Sequence, residues 1–188
     1  MPSGLAALDA LVKEADVSVR FAGDIDPGRF LILLEGDLAS VEVALQRVDE
    51  VGAADLLETL LLPRAHGALR AALVGQLAST ARPRSEEHAI GAIATYTVIS
   101  TLAAVDRALK AADVCLLRLR LSTDLAGQGH AVIAGEQFDV EAALEAANQG
   151  AGAGVAVETR LIPRAASLTF DAAAQRPYAR RQIRPLES

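Results

Sequence analysis

Aromatic residues are nearly missing from this 188-residue sequence: four Phe, two Tyr and no Trp. Hydrophobic residues nonetheless make up 52% of it, so the cores must be built from Ala, Val, Leu and Ile. Such small aliphatic side chains favour tight packing of helices on sheets over large ligand cavities. The single cysteine, Cys115, excludes an intramolecular disulfide and any multi-cysteine metal site supplied by one chain. Positive charge is also short, with a formal net charge of −6, which argues against a nucleic-acid-binding surface. No apolar run approaches the roughly 20 residues of a membrane span, and no signal-peptide pattern opens the chain. Composition therefore reads as a soluble cytoplasmic protein with neither nucleic acid nor membrane as partner. Catalytic signatures are missing as well: there is no nucleophile–base pair, no pair of catalytic carboxylates and no dinucleotide-binding glycine pattern. Gly150-Ala-Gly-Ala-Gly154 follows a helical pattern and precedes a strand pattern, the wrong order for that fingerprint. The spacing of His66, His88 and His130 fits no metal site within one chain.

What the chain does have is a repeat, and a repeat changes the reading of everything else. Leu8-Asp-Ala-Leu-Val-Lys-Glu-Ala-Asp-Val17 recurs as Val105-Asp-Arg-Ala-Leu-Lys-Ala-Ala-Asp-Val114, with an offset of 97 residues from Asp9 to Asp106. Gly36-Asp37-Leu-Ala-Ser-Val-Glu-Val-Ala-Leu45 recurs as Gly135-Glu136-Gln-Phe-Asp-Val-Glu-Ala-Ala-Leu144, at an offset of 99. Leu62-Pro63-Arg64-Ala65 recurs as Ile162-Pro163-Arg164-Ala165, at an offset of 100. Three blocks in one order with slowly growing offsets are what a duplicated domain with loop insertions produces. The expected organisation is a first domain over 1–74, a linker over 75–87, a second domain over 88–170 and a basic tail over 171–188.

Periodicity fills in the elements. Residues 4–14 read as a helix, with Leu5, Leu8, Leu11 and Val12 at helical spacing. Residues 17–24 and 29–35 read as two strands of a hairpin, turned by Asp26-Pro27-Gly28, where proline presets φ and glycine accepts positive φ. Asp37 is placed to cap a helix running to about residue 51. A strand over 55–62 and a short helix over 65–73 close the first copy. The second copy predicts a strand at 88–95, a helix at 98–112, strands at 114–122 and 130–135, a helix at 137–148 and a strand at 155–162, followed by a short helix. That order gives an α+β fold, a four-stranded antiparallel sheet with helices on one face in a ferredoxin-like βαββαβ layout. The first copy lacks its opening strand, which in this layout is interior. Either the chain starts late, or another segment such as the tail fills the gap.

The ordered blocks resemble the bacterial microcompartment shell domain in its tandem, trimer-forming version. The resemblance rests on the Asp-x-x-x-Lys helix leading into Ala-Asp-Val, the Gly-acidic strand end before Val-Glu-x-Ala-Leu, and the closing Leu62-Pro63-Arg64-Ala65-His66 and Ile162-Pro163-Arg164. It covers 4–73 and 88–168. It implies a non-enzymatic structural protein whose homotrimer is a flat pseudohexagonal tile with a central pore for small metabolites. Such tiles join hexameric and pentameric shell proteins around encapsulated enzymes. Lys13 and Lys110, with Asp9 and Asp106 one turn before them, would then lie at tile edges, and Arg64 and Arg164 near the same edges. Ile25, Asp26, Pro27, Gly28 and Arg29 would line the pore together with Asp124, Leu125, Ala126, Gly127, Gln128 and Gly129.

Residue chemistry suits these roles. An edge lysine offers an apolar stem and a charge that needs an acceptor across the seam, and an arginine beside a proline turn suits capture of backbone carbonyls. Asp26 and Asp124 would make the pore acidic, with Arg29 and His130 offsetting this locally. Taken alone, each lysine reads as a surface residue paired with the aspartate four positions earlier; the duplication favours the edge. Some tandem shell proteins hold an iron–sulfur cluster on pore-loop cysteines, but Cys115 falls in a predicted strand, so no cofactor is expected. Arg176, Arg180, Arg181 and Arg184 with Tyr178 could clasp an acidic partner or form a solvated tail. The competing function is a trimeric ferredoxin-like regulator or small enzyme holding a metabolite between subunits.

Overall fold

The computed structural model describes residues 2–52, 54–77, 88–121, 126–150 and 156–174. The first half contains α1 (Pro2–Glu14), β1 (Ser18–Ile25), β2 (Arg29–Glu35), α2 (Leu38–Gly52) and α3 (Gly67–Leu73). β1 and β2 form the expected antiparallel hairpin, from Ser18 opposite Glu35 to Ile25 opposite Arg29. Its turn has Gly28 at φ +74°, a conformation that costs glycine little. α2 begins where expected because Asp37 caps it, accepting from the Ser40 backbone N–H at 3.0 Å and from the Ser40 hydroxyl at 2.6 Å. The buried positions of α1 are Ala7 and Leu11, while Leu5 and Val12 are about half exposed.

Residues 55–62, expected as a strand, are irregular. A strand needs a ladder partner for its backbone groups. In the first half the sheet has only β1 and β2, so no neighbouring strand presents one. The same deficit overturns the expectation of cavity-free aliphatic packing. Leu31, Leu33, Leu60 and Leu62 help to line a cavity of about 1360 Å³ among α1, β2, α2 and residues 55–65.

The second half is complete: β3 (Ala89–Thr95), α4 (Val98–Ala111), β4 (Cys115–Leu121), β5 (Gly129–Gly135), α5 (Gln137–Gly150), β6 (Val157–Ile162) and α6 (Ser167–Ala174). Its four strands are all antiparallel in the order β4-β5-β3-β6. β3 is interior, bonded on both edges, and buries Ala89, Ile90, Gly91, Ile93 and Thr95. α4 and α5 cover one face. α6 covers part of the other, packing Phe170 and Ala173 near Ile90, Val132 and Ala134. Helices therefore lie on both faces, and α6 runs past residue 170, where the tail was expected to begin.

The halves share more than sequence. β1 slips register between Val19 and Phe21, and β4 slips between Leu116 and Arg118. At the 97-residue offset these are the same position, so the bulge is duplicated with the fold. Arg64 at φ 53° and Arg164 at φ 45° repeat a left-handed turn that non-glycine residues seldom adopt. One core joins the halves: Leu31 and Leu69 of the first lie in the cluster that holds Leu102, Val105 and Leu109 of α4.

Gly91 sets how closely α5 sits on the second sheet. A Cβ there would lie 2.8 Å from Ile133 Cγ1 and 2.9 Å from Val140 Cγ1. Gly91→Ala is expected to destabilise the protein by about 1–3 kcal/mol through overpacking, read as a lower urea midpoint at unchanged slope.

Candidate functional site

The Pro-Arg turn of the first half docks on α4 of the second. Asp106 is 3% exposed, which for a carboxylate demands partners. It accepts the His66 backbone N–H at 2.7 Å and the Lys110 ammonium at 2.5 Å. Lys110 donates in turn to the Pro63 carbonyl at 3.2 Å. The i, i+4 spacing puts both charges on one helix face, so a single turn of α4 grips residues 63–66. His66 completes the local structure by capping α3, its Nδ1 accepting from Ala68 N–H at 3.2 Å. Lys110 and Asp106, expected at a tile edge, thus sit at the junction between the two halves of one chain.

The equivalent pair on α1 has no such guest. Lys13 and Asp9 pair with each other at 2.6 Å, with side chains 71% and 63% exposed. Arg64 and Arg164 are both exposed, each at its left-handed turn.

The two expected pore loops meet. Gly127, at φ +86°, sits so close to the first hairpin that a Cβ on it would lie 2.9 Å from Pro27 Cδ and 3.0 Å from the Asp26 carbonyl oxygen. Gly28 and Arg29 are exposed, as is Ala126, and Gln128 is half-buried. Ile25 turns toward the core, and Gly129 is buried in β5 against Thr101. Asp124 and Leu125 lie outside the described residues, as do most of the linker and all of the tail arginines. Cys115 is half-buried at the start of β4.

A model of the BMC domain matches residues 1–65 and again 89–165. The chain belongs to the BMC-domain family. Within that family it is 33% identical over 162 residues to the bacterial microcompartment shell protein PduT of Citrobacter freundii, covering 86% of this chain and 85% of that one. Among solved structures it is similar to a microcompartment protein from Desulfitobacterium hafniense, with a TM-score of 0.74 and 25% identity over 91% of this chain and 93% of the other. It shares its fold with the fused permuted hexameric shell protein of the RMM microcompartment, at a TM-score of 0.56 and 19% identity over 78% and 74% of the two chains. This tandem BMC protein is thus a bacterial microcompartment shell protein, and the two grips just described stand one on each of its BMC domains.

The sequence reading passed over a group on the second sheet. Arg118 and Arg120 share a face with His130, Glu158 and Arg160, by register. Burial holds the His130 imidazole below its ordinary pKa of 6.5, helped by Arg120 and Arg118 and opposed by Glu158. Two outcomes follow from these geometries. Asp106→Ala strands the His66 N–H and is expected to cost about 1–3 kcal/mol in urea unfolding, whereas Asp106→Asn keeps an acceptor and costs less. For His130 the fold favours the neutral ring, so its contribution is intact above the ordinary value and declines as pH falls below it, through the lowered folded-state value. A proton-NMR titration should find the His130 midpoint below that of free imidazole, and Arg120→Gln should raise it.

Proposed function

We propose that the protein is a structural, non-catalytic shell tile in which three chains close head to tail around a central pore. The single observation that carries this reading is the grip of Asp106 and Lys110 on residues 63–66. The chain is a duplication, so the same contact has an unused counterpart. Asp9 and Lys13 offer the carboxylate and ammonium, both exposed. Pro163, Arg164 and Ala166 offer the exposed turn, at the same left-handed φ as in the first half.

One half cannot satisfy its own counterpart, because each turn leads away from its own sheet. Residues 163–166 of one chain would seat on α1 of the next, as residues 63–66 seat on α4. This is a heterologous contact, which makes a ring when its rotation closes. A structural neighbour is described as hexameric, and six BMC halves require three tandem chains. The meeting of Asp26 and Pro27 with Gly127 supports placing these loops together at the pore, where small metabolites would pass. Arg64 and Arg164 would remain near the rims that face hexameric and pentameric shell proteins.

Light scattering of the full-length chain should give three times the 19.6 kDa protomer mass. A monomer at micromolar concentration would overturn the trimer. Asp9→Arg reverses an exposed charge, so it should leave the melting temperature of the protomer fold near wild type while weakening association at least tenfold. Wild-type association in that variant would overturn the head-to-tail seam and leave the trimer to some other contact.

A further inference from the structure

The face of the second sheet turned away from α4 and α5 carries a basic depression that tile assembly leaves unused. Register arranges it in two rows. Arg118 stands opposite Val132, which faces Ala92, which faces Arg160; Arg120 stands opposite His130, which faces Ala94, which faces Glu158. The outer strands are three spacings apart, about 14 Å. The two alanines make a low floor between taller walls. The result is a cavity of about 250 Å³ whose lining includes Arg118, His130, Arg160 and Glu158.

The charges in this cavity are not balanced. Arg118 has its Nε shielded from solvent and without a hydrogen-bond acceptor. A buried donor left unmade costs free energy, and such a group calls for an explanation. Burial and the neighbouring Arg120 both work against the charge on Arg118. Glu158, on the exposed rim, is the one carboxylate in the lining. Three guanidinium groups on this face therefore outweigh a single anion.

We propose that this depression binds a small oxyanion, a phosphate or carboxylate group, held between the guanidinium groups of Arg118 and Arg160 with His130 beside it. Guanidinium presents paired donors in a plane that matches both groups. An acceptor at Arg118 Nε would satisfy the orphaned donor, and the negative charge would relieve the repulsion. The volume suits a small molecule and is too small for a helix or strand of an acidic protein. The site lies within one half of a single chain, so it is independent of trimer formation and of the pore.

The test is titration of the full-length protein at 150 mM NaCl, in one arm with inorganic phosphate and in the other with succinate. It is followed by thermal melting and by the arginine Nε–Hε NMR signals. A saturable displacement of the Arg118 signal, with a rise in melting temperature, is expected in at least one arm, and the arm that responds distinguishes phosphoryl from carboxylate ligands. Arg118→Met and Arg160→Met should each weaken binding about tenfold, or about 1.4 kcal/mol, while Arg107→Met on α4 should not. Arg160 is exposed, so its variant remains informative if Arg118→Met fails to fold. An unmoved Arg118 signal in both arms, or wild-type binding by both variants, would overturn the site.

Discussion

A carboxylate buried between two copies of the same fold holds this molecule together. Removing an aspartate from water is costly, and here the cost is met by one backbone N–H and one ammonium. Neither partner would suffice alone. The N–H comes from the first half and the ammonium from the second, so the halves must be in register before the charge is satisfied. The aliphatic cluster around Leu69 and Val105 supplies the attraction between halves. Asp106 fixes which arrangement of that oily surface is right. This division between a non-directional and a directional contribution is common where small aliphatic residues pack with little shape of their own.

The unequal build of the halves follows from sheet chemistry. In the second half β3 is bonded on both edges and shields two helices from water. In the first half two strands carry a comparable load, and leucines that would face a strand line a cavity instead. The first half therefore leans on the second, through Leu31, Leu69 and the turn at 63–66. Its stability is borrowed across the seam, and local opening should be easiest around 55–62.

How much of this was legible in the sequence depends on how local each determinant is. The hairpin turn at Asp26-Pro27-Gly28 and the Asp37 cap were readable because the residues that cause them lie within a few positions. The strand over 55–62 was misread because its alternation is real but its partner is a property of the sheet. Asp106 and Lys110 were rightly singled out as a pair. That they grip the chain's own first half depends on desolvation, which no spacing reveals. Arg118 and Arg120 were missed although they alternate within Leu-Leu-Arg-Leu-Arg-Leu, because an unbroken count from Leu116 would turn them inward.

That miscount leads to the duplicated bulges. A strand has two sides, and one supernumerary residue exchanges them. Because Leu117 opens an extra step, everything after it in β4 is inverted relative to a plain zigzag, and the arginines are delivered to solvent instead of to the core. The earlier strand performs the same inversion at Arg20. The chemistry of one side of the sheet is thus encoded by parity: losing a single letter at either place would turn the strand inside out, however conservative its remaining composition.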